Sequence, residues 1–438
     1  MIGYLLTHTP LFYLVQSLWR DEAFSVLAAE RPLSFIVGHI GFEPPVYYTL
    51  LHFWMKLFGE GEIAVRFLSV IGFTLATVIV IEWADVLYKK HWLAWFTPLF
   101  FFLNPMLLYY AFEVRTYAWY MFFATASLYT YATKRWKWFA ISSVLGFYTH
   151  LYFLPYFAVL GIHWIATNWQ VFRKNIVAPF KTAAGVSFLV SALLMVPWLI
   201  KVGMEFGIMK SSWYYPVDIQ LVKSVLGNMF LGYEGTPWYG WKYTAYLSLG
   251  ILLLSVNALL DKKNAKQTIL FAVFSIVPLA LIVGISFMKP LYVNRYLIPT
   301  TIGEVFVIIA GIAAIKNPLV QKLAAGLMLL GVLWFNGWYP LQHAKPTYRQ
   351  SFEQINAMVK LNDIVMAENP LNYLETLYYT KDRSRVYLYN PNNGVFAWYI
   401  GDALISPSRM LKDYPVYPSR AILVHQDTTY EFVYRMPL

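Results

Sequence analysis

The chain has 438 residues, of which 59% are apolar, 19% aromatic and only 13% charged, against about 25% charged in an average soluble domain. This composition excludes a water-soluble fold of this length, a disordered chain and a basic nucleic-acid-binding domain, and it reads as a membrane protein. Of the net charge of +11, residues 341–438 contribute ten Lys/Arg against nine Asp/Glu, so the excess sits among the hydrophobic segments, while the absence of cysteine excludes disulfides, thiolate metal sites and Cys nucleophiles.

About eleven apolar runs approach the roughly 20 residues needed to cross a hydrocarbon core. They lie at residues 2–18, 63–87, 92–110, 115–133, 138–152, 153–169, 181–200, 243–260, 267–287, 296–315 and 323–340. The first contains His8, Thr9 and Pro10, and it lacks the basic leader and small-residue cleavage site of a removable signal peptide. Between the first two runs, a helix following Asp21 and an amphipathic helix from Val46 to about Leu57 are each too short or too charged to span. Both are predicted to lie along the membrane surface. From about Leu341 the pattern becomes polar and alternating. Residues 363–368, 385–389, 421–425 and 430–434 read as strands, 371–379 as a helix and Asn390 to Gly394 as a turn. The expected organisation is a transmembrane domain over 1–340 and a small soluble α/β domain over 341–438.

Lys and Arg flanking short loops are retained in the cytoplasm. One set of alternate loops holds thirteen bases, from Lys89 and Lys90 to Lys316 and Lys322, against Glu82, Asp85 and Asp261. The other set holds eleven bases and ten acids. With eleven spans the N-terminus is cytoplasmic, and residues 19–62, residues 201–242 and the tail lie outside. No basic cluster is large enough for a dedicated lipid-head-group patch.

The few acids concentrate on that outer side. Trp19-Arg20-Asp21-Glu22 follows the first run directly. Paired carboxylates there suit a general base with a neighbour that orients it, and equally an N-cap, with Asp21 capping a helix and Glu22 favouring its first turn. In Gly41-Phe42-Glu43-Pro44-Pro45-Val46-Tyr47-Tyr48 the prolines fix a corner at Glu43. Glu43 is either an interfacial acid or, with His39, part of a metal site. Glu113 and Arg115 lie in Tyr109-Tyr110-Ala111-Phe112-Glu113-Val114-Arg115-Thr116-Tyr117, His150 in Tyr148-Thr149-His150-Leu151-Tyr152, and Arg295 and Tyr296 in Asn294-Arg295-Tyr296-Leu297-Ile298-Pro299. Each cation taken alone can be a snorkelling or packed residue. Three of them on one face with two acidic loops suggest a bound anion beside groups that do proton chemistry.

The order of these motifs resembles the membrane glycosyltransferases of the C-type fold, and more narrowly the bacterial relatives of the protein O-mannosyltransferase and lipid A aminoarabinose transferase family. The resemblance covers about residues 15–315 and is most specific from Trp19 to Ile71. It implies an all-α polytopic membrane protein of about eleven transmembrane helices, with interfacial helices in the first external loop and a small C-terminal α/β extracytoplasmic domain. It further implies an inverting transfer of sugar from a polyprenyl-phosphate donor to a lipid, glycan or protein acceptor, in the cytoplasmic membrane of a prokaryote with the site facing outward, among membrane lipids and with no nucleic acid. By the same resemblance Asp21 and Glu22 are the catalytic acids, and Arg115, His150, Arg295 and Tyr296 face the donor phosphate. Glu43 matches a Glu that contributes to a divalent-metal site in the aminoarabinose branch, although this chain has Glu-Pro-Pro where that branch has an intervening lysine. Arg66 is expected to be structural, pairing with Glu43 or Glu62. The alternatives are a secondary transporter or flippase for an anionic or lipid-linked substrate, which predicts repeats and midplane ionisable groups, and a scaffold presenting the tail.

Overall fold

The structure, a computed structural model, describes residues 8–205, 216–262, 265–396 and 401–437. Helices dominate up to Gln342, and a small sheet follows. Among the described residues six helices are long and apolar enough to cross a membrane: Glu62–Tyr88, Ala183–Glu205, Trp238–Leu260, Ala265–Ser286, Asn294–Ala313 and Pro318–Gln342. A seventh crossing is counted if Leu93–Phe102 and Pro105–Ala111, bent by 53° at their break, form one span. Pro105 produces that break because its preceding residue is driven out of the helical region, and Asn104 then caps the new helix through its side chain to the Leu107 N–H.

The remaining expected spans are shorter than their hydropathy suggests. Runs 115–133, 138–152 and 153–169 fold as Tyr117–Ala132, Trp136–Phe147 and Phe153–Thr167, of 16, 12 and 15 residues. In the first run the described residues include the short helix Phe12–Val15, and the part before His8 lies outside them. Residues 206–215 of the expected second external segment also lie outside.

Close packing of these helices depends on small residues. In Ile219–Leu231, Gly227 lies against the backbone of Thr244, and a Cβ there would stand inside van der Waals contact with the Thr244 carbonyl. Overpacking of this kind costs about 1–3 kcal/mol. Gly227→Ala is therefore expected to lower the thermal unfolding temperature in detergent, and an unchanged melt would show that the two helices can separate without loss.

One acid of this bundle escaped the sequence reading. Glu304 sits in Asn294–Ala313, 2% exposed, with neither carboxylate oxygen hydrogen-bonded among the described residues. It lines a small cavity with Leu226, Ile251, Ser255, Ser275, Ile276 and Val307.

After the last span come the helix Tyr348–Met358 and a five-stranded sheet ordered β3-β2-β1-β4-β5, with β1 Ile364–Ala367, β2 Val386–Tyr389, β3 Met410–Leu411, β4 Ala421–Val424 and β5 Tyr430–Val433. All neighbours are parallel except β4 and β5. Helix Tyr373–Tyr379 supplies the crossover between β1 and β2 that parallel pairing demands. At 390–394 the Asn390 side chain closes the turn by accepting the Gly394 N–H at 2.9 Å.

One face of the sheet packs a cluster of its own around Met366, Ala421 and Leu423, and the other face shares its core with the first loop. Tyr348, Phe352, Ile355, Leu374 and Leu388 share one hydrophobic cluster with Leu18, Val26, Tyr47, Tyr48 and Leu51 of the first loop. Ion pairs border this seam. Arg383 grips both oxygens of Glu30 at 2.7 and 2.8 Å, and Arg349 pairs with Glu62.

Candidate functional site

Helix Arg20–Ala29 carries the first two acids. Its N-cap is Trp19, and the Glu22 side chain reaches back to the Trp19 N–H at 3.4 Å. Asp21 is therefore not the cap, which removes that alternative for it. Its side chain keeps 17% exposure, with Arg20 at 3.3 Å. Burial opposes ionisation of Asp21, but the charges of Arg115, Arg20 and Arg295 outweigh it and hold the carboxyl below its usual range. Asp21 is thus an ionised carboxylate facing guanidinium groups.

Glu22 is placed differently. It is 0% exposed, and its oxygens accept Arg66 Nε at 2.9 Å, Arg66 Nη2 at 2.7 Å, the Val114 N–H at 3.1 Å and Lys345 Nζ at 3.0 Å. Burial is outweighed by Arg66 and Lys345, which keep its pKa well below the carboxylate range. A group so enclosed does not reach a substrate. Arg66 also donates to the carbonyls of Leu14, Gln16 and Ser17, so the buried pair pins the segment before Asp21 to Glu62–Tyr88. The expected partners of Arg66, Glu43 and Glu62, are corrected here: it pairs with Glu22. Glu43 turns to Arg115, and Glu62 turns to Arg349 and Tyr379.

Glu43 precedes Pro44, which caps helix Pro45–Phe58, and its Oε1 accepts Arg115 Nη2 at 2.9 Å. Arg115 Nη1 donates to the Tyr48 hydroxyl at 3.1 Å. His39 instead stacks on Phe35, with ring centroids 5.4 Å apart. No group of three metal-ligating side chains occurs among the described residues, and a guanidinium on Glu43 opposes a divalent cation there. The residues present do not fit the metal site suggested for Glu43.

Arg295 and Tyr296 lie in the turn Asn294–Leu297 that opens the most buried span. Arg295 Nη1 pairs with Glu234 Oε1 at 3.3 Å, and Glu234 also accepts the Tyr110 hydroxyl at 3.0 Å. His150 stacks on Tyr120 at 4.6 Å and meets the Tyr296 ring at 5.1 Å. Its Nδ1 accepts the Tyr152 N–H at 3.2 Å, which leaves Nε2 to carry the ring proton. Burial, then Arg115 and Arg295, push its pKa down to about 3. The expectation of three cations is corrected to two guanidiniums and one neutral imidazole donor.

Asp21, Glu43, Arg115, His150, Arg295 and Tyr296 therefore gather in one cluster, with Tyr296 feeling the charges of Arg295, Glu43, Arg115 and Asp21. Three more charged residues join it that were not expected there. Glu234 comes from the turn between Ile219–Leu231 and Trp238–Leu260, and Lys345 from the tail. Glu113, expected at the lipid interface or just inside a cavity but given no role, is 1% exposed, has no hydrogen bond to either carboxylate oxygen among the described residues, and lies 3.6 Å from Lys345 Nζ. For Glu113 the signal was present, since an acid between two apolar runs is expensive unless used. For Lys345 there was none.

No protein-family model and no curated protein sequence matches the chain. Among solved structures, ArnT from Cupriavidus metallidurans in the apo state aligns with a TM-score of 0.58 and 13% identity, over 97% of this chain and 91% of that one. ArnT from the same organism bound to undecaprenyl phosphate aligns with the same score and coverage at 14% identity. The chain has the ArnT-like C-type glycosyltransferase fold and is an integral membrane protein.

Proposed function

We propose that this protein is an inverting glycosyltransferase that moves a sugar from a polyprenyl-phosphate donor to an acceptor on the extracytoplasmic face of a prokaryotic cytoplasmic membrane. The observation that carries this reading is the gathering of Asp21 with Arg115, His150, Arg295 and Tyr296 in one cluster, where the arginine charges favour the carboxylate form of Asp21. Support comes from the fold shared with ArnT, one structure of which binds undecaprenyl phosphate. The distribution of basic loops supports about eleven crossings with the first loop and the tail outside.

In this reading Asp21 takes the proton from the acceptor hydroxyl or amine as its oxygen or nitrogen bonds to the anomeric carbon. The bond from that carbon to the phosphate oxygen breaks, and its electron pair leaves on the phosphate. Arg295 and Arg115 stabilise that developing charge, with the Nε2–H of His150 and the Tyr296 hydroxyl as neutral donors beside them. Glu22 acts through position only. With Arg66 it fixes the turn that aims Asp21, because a bound geometry accurate to a fraction of an ångström supplies much of the rate.

The test presents protein in lipid nanodiscs with a panel of polyprenyl-phosphate sugars, reading polyprenyl-phosphate release and the anomeric configuration of the product. Consumption of one donor with inversion is expected. No consumption of any donor together with no binding of undecaprenyl phosphate would overturn the reading. Arg295→Ala removes a charge-assisted contact worth about 1.5–3 kcal/mol, so donor-lipid affinity should fall at least about tenfold. An unchanged affinity would take Arg295 out of the phosphate site.

A further inference from the structure

We propose that Lys345, in the segment that follows the last span, is a positioning residue of this site: its ammonium group joins Glu22 to Glu113 beside Asp21, and the C-terminal unit thereby completes the charge balance around the base. The proposal rests on the glycosyl-transfer reading for its catalytic consequence and on geometry for the rest.

Charge accounting singles Lys345 out. Glu22 already has a bidentate partner in Arg66, so a second cation on it would be surplus if no other acid were near. Glu113 is that other acid. Its carboxylate makes no hydrogen bond among the described residues, and Lys345 lies within ion-pair distance of it. Two carboxylates and two cations then balance in a volume closed to solvent, Lys345 itself being 7% exposed. An unbalanced charge there would be costly. The segment carrying Lys345 is held where this requires, since the Lys345 N–H donates to Gln16 Oε1 at 3.1 Å, the Arg349 N–H donates to Ser17 Oγ at 3.1 Å and Nζ lies 5.8 Å from the Trp19 ring centre. A second buried acid of the tail lies near the same turn: burial pushes the Glu375 carboxyl up to about 8, with Arg20 acting in the other direction.

The groups that face Glu113 are Lys345 from the tail, Glu22 and Asp21 from the first loop, Arg295 from the turn before its span, Arg66 from Glu62–Tyr88, and the phenols of Tyr13, Tyr47, Tyr109 and Tyr110. Burial raises Glu113 to about 7, with Lys345 the strongest influence in the other direction. An ionised Glu113 makes Asp21 the better proton acceptor by like-charge repulsion, so activity should be lost as pH falls through the Glu113 value. Asp21 itself, held low by its arginines, stays ionised through that range.

The experiment compares wild type, Lys345→Met, Lys345→Arg and Glu113→Gln in nanodiscs by infrared titration of the protonated-carboxyl band that Glu113→Gln removes. Removing an opposite charge at this distance shifts a carboxyl by about one to two units. The midpoint should rise by that amount in Lys345→Met and stay near wild type in Lys345→Arg. In single turnovers the acid limb should move with it, costing Lys345→Met about tenfold or more near neutral pH and far less on the alkaline side. Equal midpoints in wild type and Lys345→Met, or a band that does not titrate within about two units of neutrality, would overturn the proposal. If Lys345→Met does not fold, Lys345→Gln is titrated in its place. If the wild type transfers no sugar, the functional reading fails, while the infrared result still decides the link between tail and site.

Discussion

Asp21→Asn should lower turnover by about 10²- to 10⁴-fold with little change in donor affinity. Asn keeps the shape of the side chain and most of its hydrogen bonding, but it does not accept the acceptor's proton. With Trp19 at the N-cap, the substitution touches helix stability only through the first-turn dipole contribution, about 0.3–1 kcal/mol. The expected loss therefore lies in the chemical step. Single-turnover rates and undecaprenyl-phosphate affinity, measured on the same preparation, separate the two contributions. Turnover like that of the wild type would reject Asp21 as the base.

Arg66→Met should produce the largest loss of stability. Its guanidinium is buried with Glu22, makes three further hydrogen bonds to main-chain carbonyls, and joins the first loop to Glu62–Tyr88. Breaking one side of such a pair costs about 3–5 kcal/mol, mostly because the remaining charge is stranded. A large drop in thermal unfolding temperature is expected, together with partial recovery when Glu22→Gln is added. A drop equivalent to less than about 1 kcal/mol would mean that Lys345 alone suffices for Glu22.

The sequence showed the Trp19–Glu22 acids, the proline corner at Glu43, the Arg295–Tyr296 turn and four of five strands, because each is written in a few consecutive residues. Pairing was not written that way. Arg66 had three acids to choose from, and the choice was settled by which carboxylate became enclosed, a tertiary outcome separated by 44 residues in sequence. His150 looked like a cation because its place among other bases was visible, whereas the Tyr152 N–H on its Nδ1 and the burial that, with Arg115 and Arg295, lowers its pKa were not. Runs near 20 residues overstated helix length wherever a turn of apolar composition interrupted them, as at residues 148–152 between Trp136–Phe147 and Phe153–Thr167. β3, two residues long, leaves no periodicity to detect.

The seam between the first loop and the sheet unit bears on the order in which the protein comes into being. Translation and insertion deliver Asp21, Glu22 and Arg66 early, while Lys345 and the apolar faces of Tyr348–Met358 and Tyr373–Tyr379 arrive only after the last span has left the ribosome. A nascent chain can form the Arg66–Glu22 pair, yet Glu113 lacks its ion pair with Lys345 and the tail's share of the common apolar cluster is missing. Completion of the site is then a late event of biogenesis.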